Sequence, residues 1–308
     1  MNTAFIFPGQ GSQAIGMLKT LSEQYNGVIE TFSEASDALG YDLWQLCQEG
    51  PADQLGQTEY TQPALLTAGV AVWRIWQAQG GVNPDVMAGH SLGEYTALTC
   101  AGALVFSDAV TLVQDRGRYM QSAVPAGKGA MAAIIGLDDE AVVKTCEAAT
   151  EHGIIQAVNF NAPGQVVIAG EKAAIDASVE LFKTAGAKRA LPLPVSIPAH
   201  SKLMTPAAEK LHERIASIEV KLPDIPVIHN CNVATATSSD QVRANLITQL
   251  DSPVLWVKSV EKMINEFNIS KIIESGPGKV LSGMIKRIDK TVTTNAIDTP
   301  DALASLLN

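Results

Sequence analysis

The stretch Asp85-Val86-Met87-Ala88-Gly89-His90-Ser91-Leu92-Gly93 decides the fold. A short apolar run ends in a glycine, a serine stands two residues on, and a second glycine follows it. This is the pattern of a strand that turns abruptly into a helix, because only glycines at both flanks leave room for so tight a turn. The serine hydroxyl is then held up at the sheet edge as a candidate nucleophile. The residues that follow, Glu94-Tyr95-Thr96-Ala97-Leu98-Thr99-Cys100-Ala101, read as a small-faced helix that packs close under the turn, its first amides free to bind an anion.

Outward from this turn, short apolar runs at 4–7, 86–88, 227–229 and 271–273 alternate with long amphipathic stretches. That alternation predicts an α/β sheet flanked by helices. The interval from about 128 to 193 has its own rhythm: strand 130–135, helix 138–152, strand 155–159, strand 165–169, helix 171–185 and strand 189–193. This β-α-β-β-α-β sequence is the ferredoxin-like order. Asp138 is placed to cap the first of its helices, Gly153 and Gly186 end the two helices, and Asn161-Ala162-Pro163-Gly164 closes the middle hairpin. Pro192, Pro194 and Pro198 make the following stretch a stiff connector that delivers His200.

Composition bounds the remaining possibilities. With 46% hydrophobic and 18% charged residues over 308 positions, the chain can bury a sizeable core, expected as one large domain carrying a smaller inserted one. The N-terminus, with no basic run and an early Pro8-Gly9, reads as neither signal peptide nor anchor, and no stretch could span a membrane. Cys47, Cys100, Cys146 and Cys231 are far apart with no C-x-x-C pair, which predicts reduced thiols in a cytoplasmic protein rather than disulfides or a metal site. A net charge of -10 argues against nucleic acid as a partner.

The first strand runs into Pro8-Gly9-Gln10-Gly11-Ser12-Gln13-Ala14, a glycine-rich turn expected to open a helix. It satisfies a dinucleotide-binding fingerprint, but the region around Glu30 is helical in period where that reading needs a second strand ending in an acid. The loop is better used as part of an oxyanion hole, with the Leu92 amide as the other donor. A serine nucleophile also needs a base. Of the five histidines, His90 is expected to point away from the serine, while His152 and His212 lie on helices. His200, on an irregular loop just before a helix, leads, and His229 in an apolar strand is the runner-up.

Phe7-Pro8-Gly9-Gln10-Gly11-Ser12-Gln13, Gly89-His90-Ser91-Leu92-Gly93-Glu94, Gln114-Asp115-Arg116-Gly117, Asn159-Phe160-Asn161-Ala162-Pro163-Gly164-Gln165 and Ile197-Pro198-Ala199-His200 together resemble the malonyl-CoA:acyl carrier protein transacylases of bacterial fatty acid synthesis. Gln249-Leu250-Asp251-Ser252-Pro253-Val254-Leu255-Trp256 and Glu274-Ser275-Gly276-Pro277-Gly278 extend the resemblance to the C-terminal third. The fold class expected is α/β: a large α/β-hydrolase-like (patatin-like) domain with a mostly parallel sheet, residues 1–126 and 197–308, and a ferredoxin-like subdomain, residues 127–196.

The resemblance implies Ser91 as nucleophile, His200 as base, Gln10 and the Leu92 amide as oxyanion hole, and Arg116 as partner of the malonyl carboxylate. A guanidinium fork suits that last role, since it binds a carboxylate bidentately where lysine cannot. Met120, at i+4 from Arg116, is expected as an apolar wall beside the acyl group. The resemblance also implies a dyad, with the imidazole steadied by backbone carbonyl near Gln249, itself assigned to substrate binding, and with Glu274 structural. Malonyl-CoA and acyl carrier protein are the implied partners, no cofactor is required, and the chain is expected to be a cytoplasmic monomer. Candidate basic groups for docking the acidic carrier are Lys188 and Arg189, and Lys279, Lys286 and Arg287 on what reads as the last helix. A serine hydrolase passing the acyl group to water is the leading rival, and a non-catalytic small-molecule binding protein is a second alternative.

Overall fold

The computed structural model describes residues 2–307; Met1 and Asn308 lie outside the described residues. Two sheets organise the chain. The first contains β1 (Asn2–Phe7), β2 (Val86–Gly89), β7 (Val227–Ile228), β8 (Ile269–Glu274) and β9 (Thr293–Ala296), in the order β7-β2-β1-β8-β9 with every neighbouring pair parallel. A parallel sheet needs cover on both faces, and β1 shows why this sequence forms one. Alternate residues enter opposite cores: Phe5 and Phe7 join Tyr95, Trp73 and Leu66 on one face, and Ala4 and Ile6 join Trp256, Val260 and Ile285 on the other. Each of the large apolar side chains such as Phe5, Leu66 and Ile6, fully buried, contributes roughly 1.5–3 kcal/mol of transfer free energy.

The second sheet holds β3 (Gly129–Ile135), β4 (Ile155–Ala162), β5 (Gln165–Glu171) and β6 (Arg189–Pro192), ordered β4-β5-β3-β6 and antiparallel throughout. Helices Asp139–Ala148 and Lys172–Thr184 lie between its strands in sequence and cover one face, where Ile134, Ile168 and Phe182 form a core of their own. The expected strand-helix-strand-strand-helix-strand succession is therefore present, with Asp138 capping its first helix through the Ala141 amide. Helix 138–152 is instead a helix to Ala148 and a separate turn of 3-10 helix at Thr150–His152. The opposite face carries Met131, Val158 and Val167. The sheet is stitched to the rest of the chain by paired backbone bonds, Phe160 N to Val254 O (3.0 Å) and Val254 N to Val158 O (2.8 Å).

Two further expectations need correction. The glycine-rich turn after β1 does not open a helix: residues 8–17 are irregular with two short turns, and the next helix, Lys19–Gln24, begins only after Gly16 (φ 81°) and Leu18 (φ 60°), whose left-handed backbone cannot belong to it. Lys279, Lys286 and Arg287 are not on the last helix either. They belong to Val280–Ile288 and its N-terminal edge, and β9 and helix Pro300–Leu307 follow.

Candidate active site

The turn between β2 and helix Leu92–Cys100 holds Ser91 at φ 53° and ψ −109°, a conformation that costs a non-glycine residue of order 1–3 kcal/mol. Its flanks explain the two glycines. A Cβ on Gly89 would collide with the backbone of Gly93, and a Cβ on Gly93 with the carbonyl of Phe7. The strain is held by bonds from far along the chain. Asn230 Oδ1 accepts from Ser91 N at 2.7 Å, Asn230 Nδ2 donates to Gly89 O at 2.7 Å, and Gln249 Nε2 donates to Ser91 O at 3.1 Å.

Ser91 Oγ lies 2.7 Å from His200 Nε2, and His200 Nδ1 lies 2.8 Å from the backbone oxygen of Gln249. A carbonyl oxygen only accepts, so Nδ1 carries the hydrogen and the neutral ring offers Nε2 as the acceptor facing the hydroxyl. His200 is itself at φ 65°, anchored by its amide to Leu250 O at 3.1 Å. Burial, and then the nearby Arg116 guanidinium, lower its pKa to about 3, against the favourable bond to Gln249 O. The ring is thus neutral at any ordinary pH.

Arg116, on helix Phe106–Ala123, is buried with only 1% of its surface exposed. Nη2 donates to Ser91 Oγ (3.2 Å) and Gln249 Oε1 (3.0 Å), and Nη1 to Gln62 Oε1 (2.8 Å). The guanidinium carbon lies 5.1 Å from the centre of the Tyr95 ring. Burial lowers the Arg116 pKa, which Tyr95 and Glu94 oppose.

Ser91, His200, Gln10, Leu92, Arg116 and Met120 line one cavity of about 400 Å3 between the two sheets, together with Gln62 and Asn159. Met120 Sδ accepts from Gln62 Nε2 at 3.5 Å, and Gln10 exchanges bonds with the Thr58 hydroxyl at 3.3 Å. Gln249 is fully buried and reaches the cavity only through Arg116, Ser91 and His200. His90 turns from Ser91 to Asn161, with Nε2 to Oδ1 at 2.8 Å, and so ties the turn to the smaller sheet. His229, just past β7, bonds the Glu94 carboxylate at 2.7 Å rather than the serine. Glu274 does not meet His200: its two oxygens accept from Leu281 N (3.0 Å) and Ser282 N (2.7 Å) at the start of helix Val280–Ile288.

Sequence reasoning missed Gln62 and Asn230, and missed the tie from Glu94 to the site. Each is a polar residue on an otherwise apolar run or helix face, which signals only that it has a buried partner. No group of three or more metal-ligating side chains occurs among the described residues. No helix there is long and apolar enough to cross a membrane.

Residues 4–292 match the acyl transferase domain family. The chain is 56% identical to the malonyl CoA-acyl carrier protein transacylase of Escherichia coli over 304 residues, 99% of this chain and 98% of that one. Among solved structures, an acyl carrier protein S-malonyltransferase from Vibrio cholerae superposes with a TM-score of 0.97 at 54% identity, covering 99% of this chain and 100% of the other. A malonyl-transacylase solved in complex with a holo type II PKS acyl-carrier protein gives a TM-score of 0.98 at 50% identity, covering 100% of this chain and 99% of that one. With likeness of that extent in sequence and fold alike, the chain belongs to the malonyl-CoA:acyl carrier protein transacylase family of acyl transferases.

Proposed function

We propose that this chain moves a malonyl group from malonyl-CoA to the phosphopantetheine thiol of an acyl carrier protein, through a malonyl ester on Ser91, and so supplies the malonyl carrier used in fatty acid elongation. The observation that carries the reading is the meeting of Ser91 Oγ with His200 Nε2 at 2.7 Å and Arg116 Nη2 at 3.2 Å in one cavity.

Ser91 Oγ attacks the thioester carbonyl as His200 Nε2 takes its proton. The oxyanion is received by the amides of Gln10 and Leu92, residues that both line the cavity; loss of one such donor typically costs about a hundred- to a thousandfold in rate. The carbon–sulfur bond then breaks, His200 returns the proton to the CoA sulfur, and the malonyl ester remains on Ser91. In the second half the carrier's thiol passes its proton to His200 and attacks the ester; the bond from the acyl carbon to Ser91 Oγ then breaks and His200 returns that proton to Oγ, which restores the serine. Arg116 receives the free carboxylate of the acyl group, which acetyl-CoA lacks, and Met120 forms an apolar wall beside it. Gln249 serves binding through Arg116, and Glu274 is structural. No cofactor enters this cycle.

The arrangement is read as a cytoplasmic monomer with a patatin-like large domain, residues 1–126 and 197–308, and a ferredoxin-like subdomain, residues 127–196. The strand order of the smaller sheet supports the latter. At a net charge of -10 the chain attracts an acidic carrier only locally, and the exposed Lys188, Arg189, Lys279, Lys286 and Arg287 are the groups placed to do so.

Intact mass after brief incubation with malonyl-CoA tests the proposal. One malonyl adduct on the wild type, absent from Ser91→Ala and removed by holo carrier protein, is the expected result. Release of free malonate at the same rate with and without a pantetheine thiol would make the protein a hydrolase instead.

A further inference from the structure

Glu94 is a fully buried carboxylate that takes no part in the proposed reaction, yet it is bonded directly to two residues that hold Ser91 and Arg116. Its Oε2 accepts from Asn230 N and from Gln249 Nε2, each at 2.8 Å, and its Oε1 meets His229 Nδ1 at 2.7 Å. Asn230, His229 and Gln249 are also fully buried, so water cannot replace a lost partner. Beyond them the network divides. Asn230 grips the strained turn at Ser91 N and Gly89 O. Gln249 grips Ser91 O with the same nitrogen that meets Glu94, and holds Arg116 Nη2 at 3.0 Å with its Oε1.

We propose that Glu94 is a positioning residue with two arms: through Asn230 it sets the nucleophile, and through Gln249 it sets the guanidinium that selects a carboxylate-bearing acyl group. The inference rests on the roles proposed above for Ser91 and Arg116. It follows that the arms have different kinetic signatures. Displacing Ser91 slows attack on any acyl-CoA, whereas displacing Arg116 slows only acyl groups that carry a carboxylate.

The test is the first-order rate constant for Ser91 acylation by malonyl-CoA and by acetyl-CoA, followed by quenched intact mass. A rate constant, unlike the final amplitude, does not fall merely because part of the sample is unfolded. Asn230→Ala should slow both substrates by about 10- to 100-fold and leave their ratio within about twofold of wild type. Glu94→Ala should slow both and also lower the malonyl-to-acetyl ratio by about tenfold. Glu94→Gln retains an acceptor oxygen for Asn230 and Gln249 and should restore the ratio to within about threefold of wild type. If Glu94→Ala does not fold, Gln249→Leu keeps the backbone oxygen that meets His200 and removes the side-chain bonds to both Arg116 and Ser91 O; it should slow both substrates and lower the malonyl-to-acetyl ratio by about tenfold. An unchanged ratio in Glu94→Ala, or in Gln249→Leu where that variant stands in, overturns the proposal. Arg116→Ala separates this from the reading beneath it: if that variant keeps the wild-type ratio, the role of Arg116 fails first.

Discussion

Arg116 donates to the Ser91 hydroxyl across 3.2 Å, and Gln62 and Gln249, to which it also donates, are neutral. A cation buried beside the nucleophile without a carboxylate bonded to it is costly, and on the proposed reading an incoming acyl carboxylate would supply the missing anion. Binding and selection are then one event.

Arg116→Ala should lower the rate of malonyl adduct formation on the order of 100-fold, as expected for truncating one partner of a desolvated charge pair, with acetyl transfer changed far less. Arg116→Lys should recover only part of the loss, since an ammonium lacks the planar fork. Parallel acylation time courses by mass spectrometry check both; equal losses with the two substrates would remove Arg116 from carboxylate recognition.

The pH dependence follows from His200. With its pKa lowered to about 3, the imidazole remains a base throughout the neutral range, so malonyl acylation should be nearly flat from about pH 8 down to about pH 5. Stability should behave differently. Between the ordinary histidine value and the folded one, the unfolded chain binds a proton that the folded chain refuses, so stability falls as pH drops through that window. Burial lowers His90 as well, which adds in the same direction. His200→Gln should therefore flatten the decline of Tm with acidification by about one proton's worth, read from thermal melts across the acid range.

Glu274→Gln tests the absence of a third triad member. The Glu274 carboxylate caps helix Val280–Ile288 through Leu281 N and Ser282 N, so its replacement should cost about 1 kcal/mol in chemical denaturation and leave most turnover intact. A loss of rate as deep as that of His200→Ala would contradict the arrangement.

Lys188 and Arg189 are exposed at the start of β6. Reversing both charges, Lys188→Glu with Arg189→Glu, should raise the KM for the carrier protein severalfold and leave acylation by malonyl-CoA unchanged, since on the proposed reading these two groups meet the carrier's acidic surface and neither lines the cavity that takes the thioester. Separate assays of the two half-reactions distinguish this from a general loss, which would affect both alike.

The turn at Ser91, the succession of strands and helices through residues 129–192 and the loop that presents His200 are all legible in the sequence. Each depends on interactions a few residues long: glycines where a Cβ would strike backbone, apolar residues alternating along a strand, prolines that forbid a helix. The first turn misled for the opposite reason, because Leu18 in left-handed backbone carries no local signature and delays the helix. Which polar residues meet at the site was decided by tertiary packing alone. Gln62 and Arg116 are separated by 54 residues, and Gln249 and Ser91 by 158. A hydrogen bond over such distances is written in no local pattern; burial forces it, since a polar group removed from water must find a partner among whatever groups the fold brings beside it.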